Sequence, residues 1–143
     1  MLLHAAVREH LFCPAYCLMP DQLHLVWMGL WRESNQLNAM KFLRRHLEPA
    51  LGGNRRWQHQ AHDHVLREEE RRRNAFGRFC FYTLANPIRA GLATREIDWP
   101  YSGAMVPGYP TLDPRVEEFW ELFWKIYLAE REGESSPSAR QPP

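Results

Sequence analysis

Cysteine is scarce in this chain of 143 residues: Cys13, Cys17 and Cys80 are the only three. Their spacing matches no zinc motif, and their odd number leaves a thiol over from any single disulfide. That argues against a disulfide-stapled secreted scaffold and against a thiolate metal cage. The three thiols are expected to be buried as small apolar side chains in a reducing compartment. Long apolar runs are absent too, none approaching the roughly 20 residues that a helical membrane span needs. The opening stretch Met1–His10 lacks the basic lead of a secretory signal and meets charge early. A cytoplasmic location without a membrane partner is therefore expected. No internal repeat is present, which excludes solenoid and propeller arrays.

Net charge is also nearly absent, formally +1 from 18 basic and 17 acidic residues. The balance conceals an asymmetry. Residues 41–95 hold twelve Lys/Arg against five Asp/Glu, whereas residues 96–143 hold four against nine. A basic middle followed by an acidic end suggests that the middle faces a polyanion. Within it, the run Glu68-Glu69-Glu70 followed by Arg71-Arg72-Arg73 by itself reads rather as a solvated helix face laced with i,i+3 and i,i+4 pairs.

What is present is a length suited to one domain with a real core. Met1–His10 reads as the end of a helix with Leu2, Leu3, Ala6 and Val7 on one side. Residues 12–19 and 23–28 read as a hairpin around Pro20-Asp21, with Pro14 pushing its strand toward an edge or bulge. In the second strand Leu23, Leu25 and Trp27 share one face, and His24, Val26 and Met28 the other. Ser34 is a suitable N-cap for a helix through about Leu47. Residues 57–66 alternate loosely enough for a third strand, and a helix is expected from Glu68 to about Ala85. Asp98–Ser102 reads as a loop. Asp113-Pro114 is expected to open a last helix whose Phe119, Trp120, Phe123, Trp124 and Tyr127 form an aromatic stripe. That stripe suits core packing, or else the face of a homodimer or of another partner. These readings give one domain over 1–131 and a disordered tail over 132–143.

Two segments carry candidate chemistry. Tyr82 precedes Asn86 by four residues, so a helix sets both on one side, and Pro87 then breaks the helix. Gln22 and His24 share a strand face. A tyrosine hydroxyl beside a divalent ion is a nucleophile toward a phosphodiester. His24, Gln22 and Asn86 are candidate ligands. Arg78, Arg89, Lys41, Arg44 and Arg45 are candidate DNA-binding cations, guanidinium in particular matching phosphate oxygens in pairs. Singly, each has an ordinary reading: a half-buried helix tyrosine, an N-capping Asn86, a hydrogen-bonded strand histidine.

In combination these segments resemble the single-tyrosine HUH transposases of insertion sequences, in particular the REP-associated tyrosine transposases. The matching stretches are Met19-Pro20-Asp21-Gln22-Leu23-His24-Leu25, Trp57-Gln58 with His62-Asp63-His64-Val65-Leu66-Arg67, Tyr82 through Asn86-Pro87-Ile88-Arg89-Ala90-Gly91-Leu92, and Trp99-Pro100-Tyr101-Ser102. They span roughly residues 10 to 103. The resemblance implies an α+β domain, an antiparallel sheet flanked by helices in the ferredoxin-like arrangement, with an extra C-terminal helix. It implies cleavage of hairpin-bearing single-stranded DNA through a 5′-phosphotyrosine, with Mg2+ or Mn2+ as cofactor. Tyr82 would be the nucleophile, His24 the second histidine of the metal pair and Asn86 the helix-borne polar group completing the site. Two departures stand out. Gln22 replaces the first histidine, a neutral amide oxygen still able to bind a hard ion. The chain also enters midway through the family's first helix, so the sheet is expected to lack the family's first strand. His62-Asp63-His64 is a rival ligand pair. A DNA-binding module without cleavage, or a nonfunctional remnant, is the alternative to an enzyme.

Overall fold

The alternation of the first segment becomes a hairpin. Strands β1 (Leu11–Leu18) and β2 (Leu23–Gly29) pair antiparallel, and the Met19 N–H donates to the Gln22 carbonyl at 2.7 Å across Pro20-Asp21. The computed structural model describes residues 1–53, 56–58 and 75–134. Among these, β3 (Ser102–Met105) adds to the other edge of β1, so the sheet runs β2-β1-β3 and β1 is central. Pro14 sits in that central strand, where its missing N–H is tolerated only at an irregularity. The register with β2 shifts between Phe12 and Ala15, and that with β3 between Cys13 and Tyr16.

β3 corrects the expectation of a loop over Asp98–Ser102 at its last residue, since Ser102 pairs with Cys17. Four residues are too few to show alternation, and pairing with β1 supplies what the local sequence lacks. The preceding motif fastens it: the Trp99 indole N–H donates to the Leu18 carbonyl at 3.1 Å, and the Leu18 N–H donates to the Tyr101 carbonyl at 2.9 Å.

One face of the sheet is covered by α1 (Leu2–Arg8) and α2 (Gln36–Leu47). Ala5, Ala39, Leu11 and Leu43 are buried there, with Leu25 and Trp27 of β2 packed against them. The side of α1 that is buried is Ala5 and Ala6, while Leu3 and Val7 are exposed, because small side chains permit the close approach. The N-cap of α2 is Asn35, whose side-chain oxygen accepts the Asn38 N–H at 3.0 Å. Ser34 instead closes the preceding turn, accepting the N–H groups of Leu30 and Trp31 and donating to the His10 carbonyl. A 3-10 turn, Glu48–Leu51, ends this region.

The other face carries α3 (Ala75–Leu84), the single turn α4 (Asn86–Arg89) and α5 (Phe119–Glu134). Val26 meets Ala15, Cys80 and Leu84 on this side. The largest cluster joins Phe12, Leu30 and Val106 to Phe119, Phe123, Ile126 and Tyr127. The stripe on α5 thus packs as core, although Trp124 remains partly exposed. The helix begins at Phe119 rather than near Asp113, whose carboxylate closes a separate turn: it accepts the Arg115 backbone N–H at 3.0 Å and the Arg115 Nε and Nη2 each at 2.7 Å. It continues through Glu134, and residues 135–143 lie outside the described residues. Arg56–Gln58 form no regular structure, and the remainder of the expected strand over 57–66, with His59, His62 and His64, lies outside them as well. The architecture is α+β, a three-stranded antiparallel sheet between helices. No helix among the described residues is long and apolar enough to cross a membrane.

Phe123 is fully buried and stacked between Phe119 (5.4 Å) and Tyr127 (6.3 Å). Phe123→Ala is expected to cost ~3–5 kcal/mol in urea unfolding. Leu128→Ala, on the exposed side of the same helix, is expected to stay within about 0.5 kcal/mol.

Candidate functional site

His24 enters the site from the second position of β2, and Gln22 from the residue just before the strand, where its carbonyl accepts the Met19 N–H and continues the pairing past the strand end. The His24 face of the strand is the one on which Val26 meets α3. Asn86 and Arg89 arrive from α4, the turn that follows α3. These four, with Met19, Asp21 and Ala90, line one cleft of about 290 Å³. Segments more than sixty residues apart are thereby joined. Met19, Asp21 and Ala90 lie within the stretches that carry the resemblance, but the sequence assigns them no role at the site.

The orientation of Asn86 follows from its neighbour. Pro87 has no N–H to give the carbonyl four residues earlier, that of Thr83. The Asn86 Nδ2 supplies the missing donor, lying 3.1 Å from the Thr83 carbonyl and 3.1 Å from that of Tyr82. Asn86 is therefore not an N-cap, and that position belongs to Ala85. With Nδ2 committed to backbone, Oδ1 is the acceptor left over.

Tyr82 is half-exposed on α3, and the Arg89 guanidinium carbon lies 3.9 Å from its ring centroid. Arg89 thus belongs both to the cleft wall and to the tyrosine, and it links Tyr82 to the side of the molecule where His24 sits. His24 is half-buried. Burial lowers its pKa below the ordinary histidine value, Asp21 partly restores it, and the positive charge of Arg89 lowers it again. A neutral imidazole with a free lone pair is the form this environment favours.

The other candidate cations fall elsewhere. Lys41 and Arg45 line a second cleft, of about 280 Å³, between α1 and α2. There Arg8 lies over the Phe42 ring at 5.5 Å, and the His46 ring lies tilted against it with centroids 4.1 Å apart. The His46 Nδ1 donates to the Phe42 carbonyl at 2.8 Å. Alternation along β2 sets this basic cleft on the opposite face of the sheet from the first. Arg8, Phe42 and His46 had no motif to mark them. Arg44 donates to the Gln58 carbonyl and so helps to hold that segment. Arg78 is exposed on α3. The rival pair His62 and His64 lies outside the described residues. The three cysteines are buried and unpaired, and burial drives their pKa values up, to about 11 for Cys17 and about 12 for Cys80, which leaves them inert thiols.

No protein-family model matches the sequence, and no curated protein or solved structure matches the chain.

Two outcomes are expected from the site's own chemistry. Because folded His24 releases its proton more readily than the unfolded chain does, protons favour unfolding below about pH 6.5, and stability falls from there toward the folded pKa. Urea melts at pH 7.5 and 5.5 should therefore show a smaller acid loss in His24→Gln than in the parent. Asn86→Ala removes the donor that replaces the missing N–H of Pro87, and equilibrium unfolding should register a loss of about 1 kcal/mol.

Proposed function

We propose that the protein is a metal-dependent, single-tyrosine DNA-cleaving enzyme of the HUH transposase type, built on that family's ferredoxin-like fold. The observation that carries the reading is the convergence of Gln22, His24, Asn86 and Arg89 on one cleft, with Arg89 reaching from it to the ring of Tyr82.

The donors fit a hard divalent ion in kind. They comprise one neutral imidazole at His24, the amide oxygens of Gln22 and Asn86, and the Asp21 carboxylate nearby. The orientation of the Asn86 amide, turned by its two backbone bonds, leaves oxygen rather than nitrogen for an ion. Mg2+ or Mn2+, when bound, would polarise a phosphate oxygen of the substrate. The chain's own groups do the rest. Arg89 draws in the phosphodiester, and the Tyr82 hydroxyl attacks phosphorus. The Tyr82 Oη–P bond forms as the P–O3′ bond breaks, leaving a 5′-phosphotyrosine. The phenolic proton passes to solvent, and the departing 3′ oxygen takes one up as a hydroxyl. The basic cleft of Lys41 and Arg45 adds attraction for further phosphates of a single-stranded hairpin on the opposite face.

A second reading, a DNA-binding module that does not cleave, is favoured by one observation. Among the described residues no group of three or more His, Cys, Asp or Glu side chains is placed to hold a metal, in keeping with Gln22 standing where the resemblance calls for histidine.

Incubating a labelled single-stranded hairpin with the protein and Mn2+ distinguishes the two. The enzyme is expected to give a covalent adduct that Tyr82→Phe and chelation each abolish, whereas binding without adduct marks the module. Gln22→His should raise Mn2+ affinity on the order of tenfold, imidazole being the better donor. An unchanged affinity would remove Gln22 from the ligand set.

A further inference from the structure

Arg89 is the cation that lines the cleft, and its guanidinium has no hydrogen-bonded or ion-paired partner among the described residues. Arg115 and Arg95, by contrast, are tied to Asp113 and Asp98. What Arg89 touches is a ring. Its guanidinium carbon is 3.9 Å from the centroid of Tyr82, closer than the Arg8–Phe42 and Arg131–Tyr127 contacts at 5.5 and 5.8 Å. A cation over an aromatic face engages through its charge, so the guanidinium N–H donors are not consumed by the contact. The same side chain lines the cleft with Gln22, His24 and Asn86. Its placement is set by the Asn86-Pro87 turn. Asn86 is anchored by two bonds to the end of α3, and the Arg89 N–H closes the turn onto the Ala85 carbonyl at 3.1 Å. Ring and arginine are thus carried by one short stretch of backbone.

We propose that Arg89 is the positioning residue of the cleft: its N–H groups hold a phosphate oxygen while its charge holds the Tyr82 ring, so that one side chain aligns nucleophile and phosphodiester. The proposal rests on the reading of Tyr82 as nucleophile. It separates two properties that simple phosphate attraction would leave together. Lysine would keep the attraction, yet it lacks the planar fork that can serve a ring and a phosphate at once.

The test uses the full chain with 15N-arginine and ring-13C-tyrosine. Inorganic phosphate, and then a single-stranded hairpin oligonucleotide, should shift the Arg89 Nε–H and Tyr82 ring resonances together, with a common midpoint. In Arg89→Lys, oligonucleotide affinity should stay within about threefold, since the charge is kept. Adduct formation at saturating DNA should slow by roughly tenfold to a hundredfold, and the Tyr82 ring resonance of the free protein should move as it does in Arg89→Gln. An Arg89 resonance that responds to phosphate while the Tyr82 ring does not overturns the proposal, as does an Arg89→Lys variant with unchanged adduct rate. Either result leaves Tyr82 as nucleophile. A parent protein that binds the oligonucleotide but forms no adduct overturns both.

Discussion

Strand β1 is hydrogen-bonded along both edges and covered on both faces, and the positions of the other elements follow from that. Backbone groups removed from water need partners, and in this strand Pro14 withholds one. The sheet answers with a register shift toward each neighbour at that point. On either side of the shift the pairing is regular, which keeps the turn end of the hairpin in strict alternation. Leu25 and Trp27 go to the α1–α2 layer, and His24 and Val26 to the α3 layer. One-residue alternation thus sends apolar side chains of β2 to the α1–α2 layer and His24 to the face that carries the cleft with Asn86 and Arg89.

A second proline acts in the same way at the other half of the site. Pro87 cannot donate to the Thr83 carbonyl, and the Asn86 side chain fills the gap. The outcome is a stiff joint between α3 and α4 that presents an amide oxygen and a guanidinium toward the hairpin turn. A tyrosine and an arginine seven residues apart on a continuous helix would be neighbours two turns along one face. Here the Arg89 side chain reaches back across that distance into direct contact with the ring. Burial of His24 and the nearby charge of Arg89 then favour its neutral form, the form with a lone pair to offer.

The positive charge of the middle of the chain is distributed more widely than a single groove would require. Lys41 and Arg45 line a cleft on one face of the sheet, and Arg89 lines one on the other. Arg44 is drawn toward the backbone of Gln58, which shows why a count of basic residues overstates the cations available to a ligand. Asp113, expected at the head of α5, instead holds Arg115 in a turn before the helix, through its backbone N–H and its guanidinium alike.

Much of the fold was legible in the order of residues. The hairpin, its turn, the two-sided division of β2, the helix break at Asn86-Pro87 and the burial of the α5 stripe all rest on local geometry and on side-chain periodicity, which the amino-acid sequence carries directly. Gln22, His24, Asn86 and Arg89 could be singled out, because residue type and spacing mark the chemistry they can support. What could not be read was decided by contacts between distant segments. β3 exists because β1 offers an edge, and Asn35 caps α2 because Ser34 is needed by the turn after β2. The second basic cleft forms where α1 meets α2. The contact of Arg89 with Tyr82 joins side chains from two short helices on either side of Ala85. Propensity and periodicity describe a segment by itself; these features arise only when one segment satisfies the unfilled hydrogen bonds, charge or surface of another.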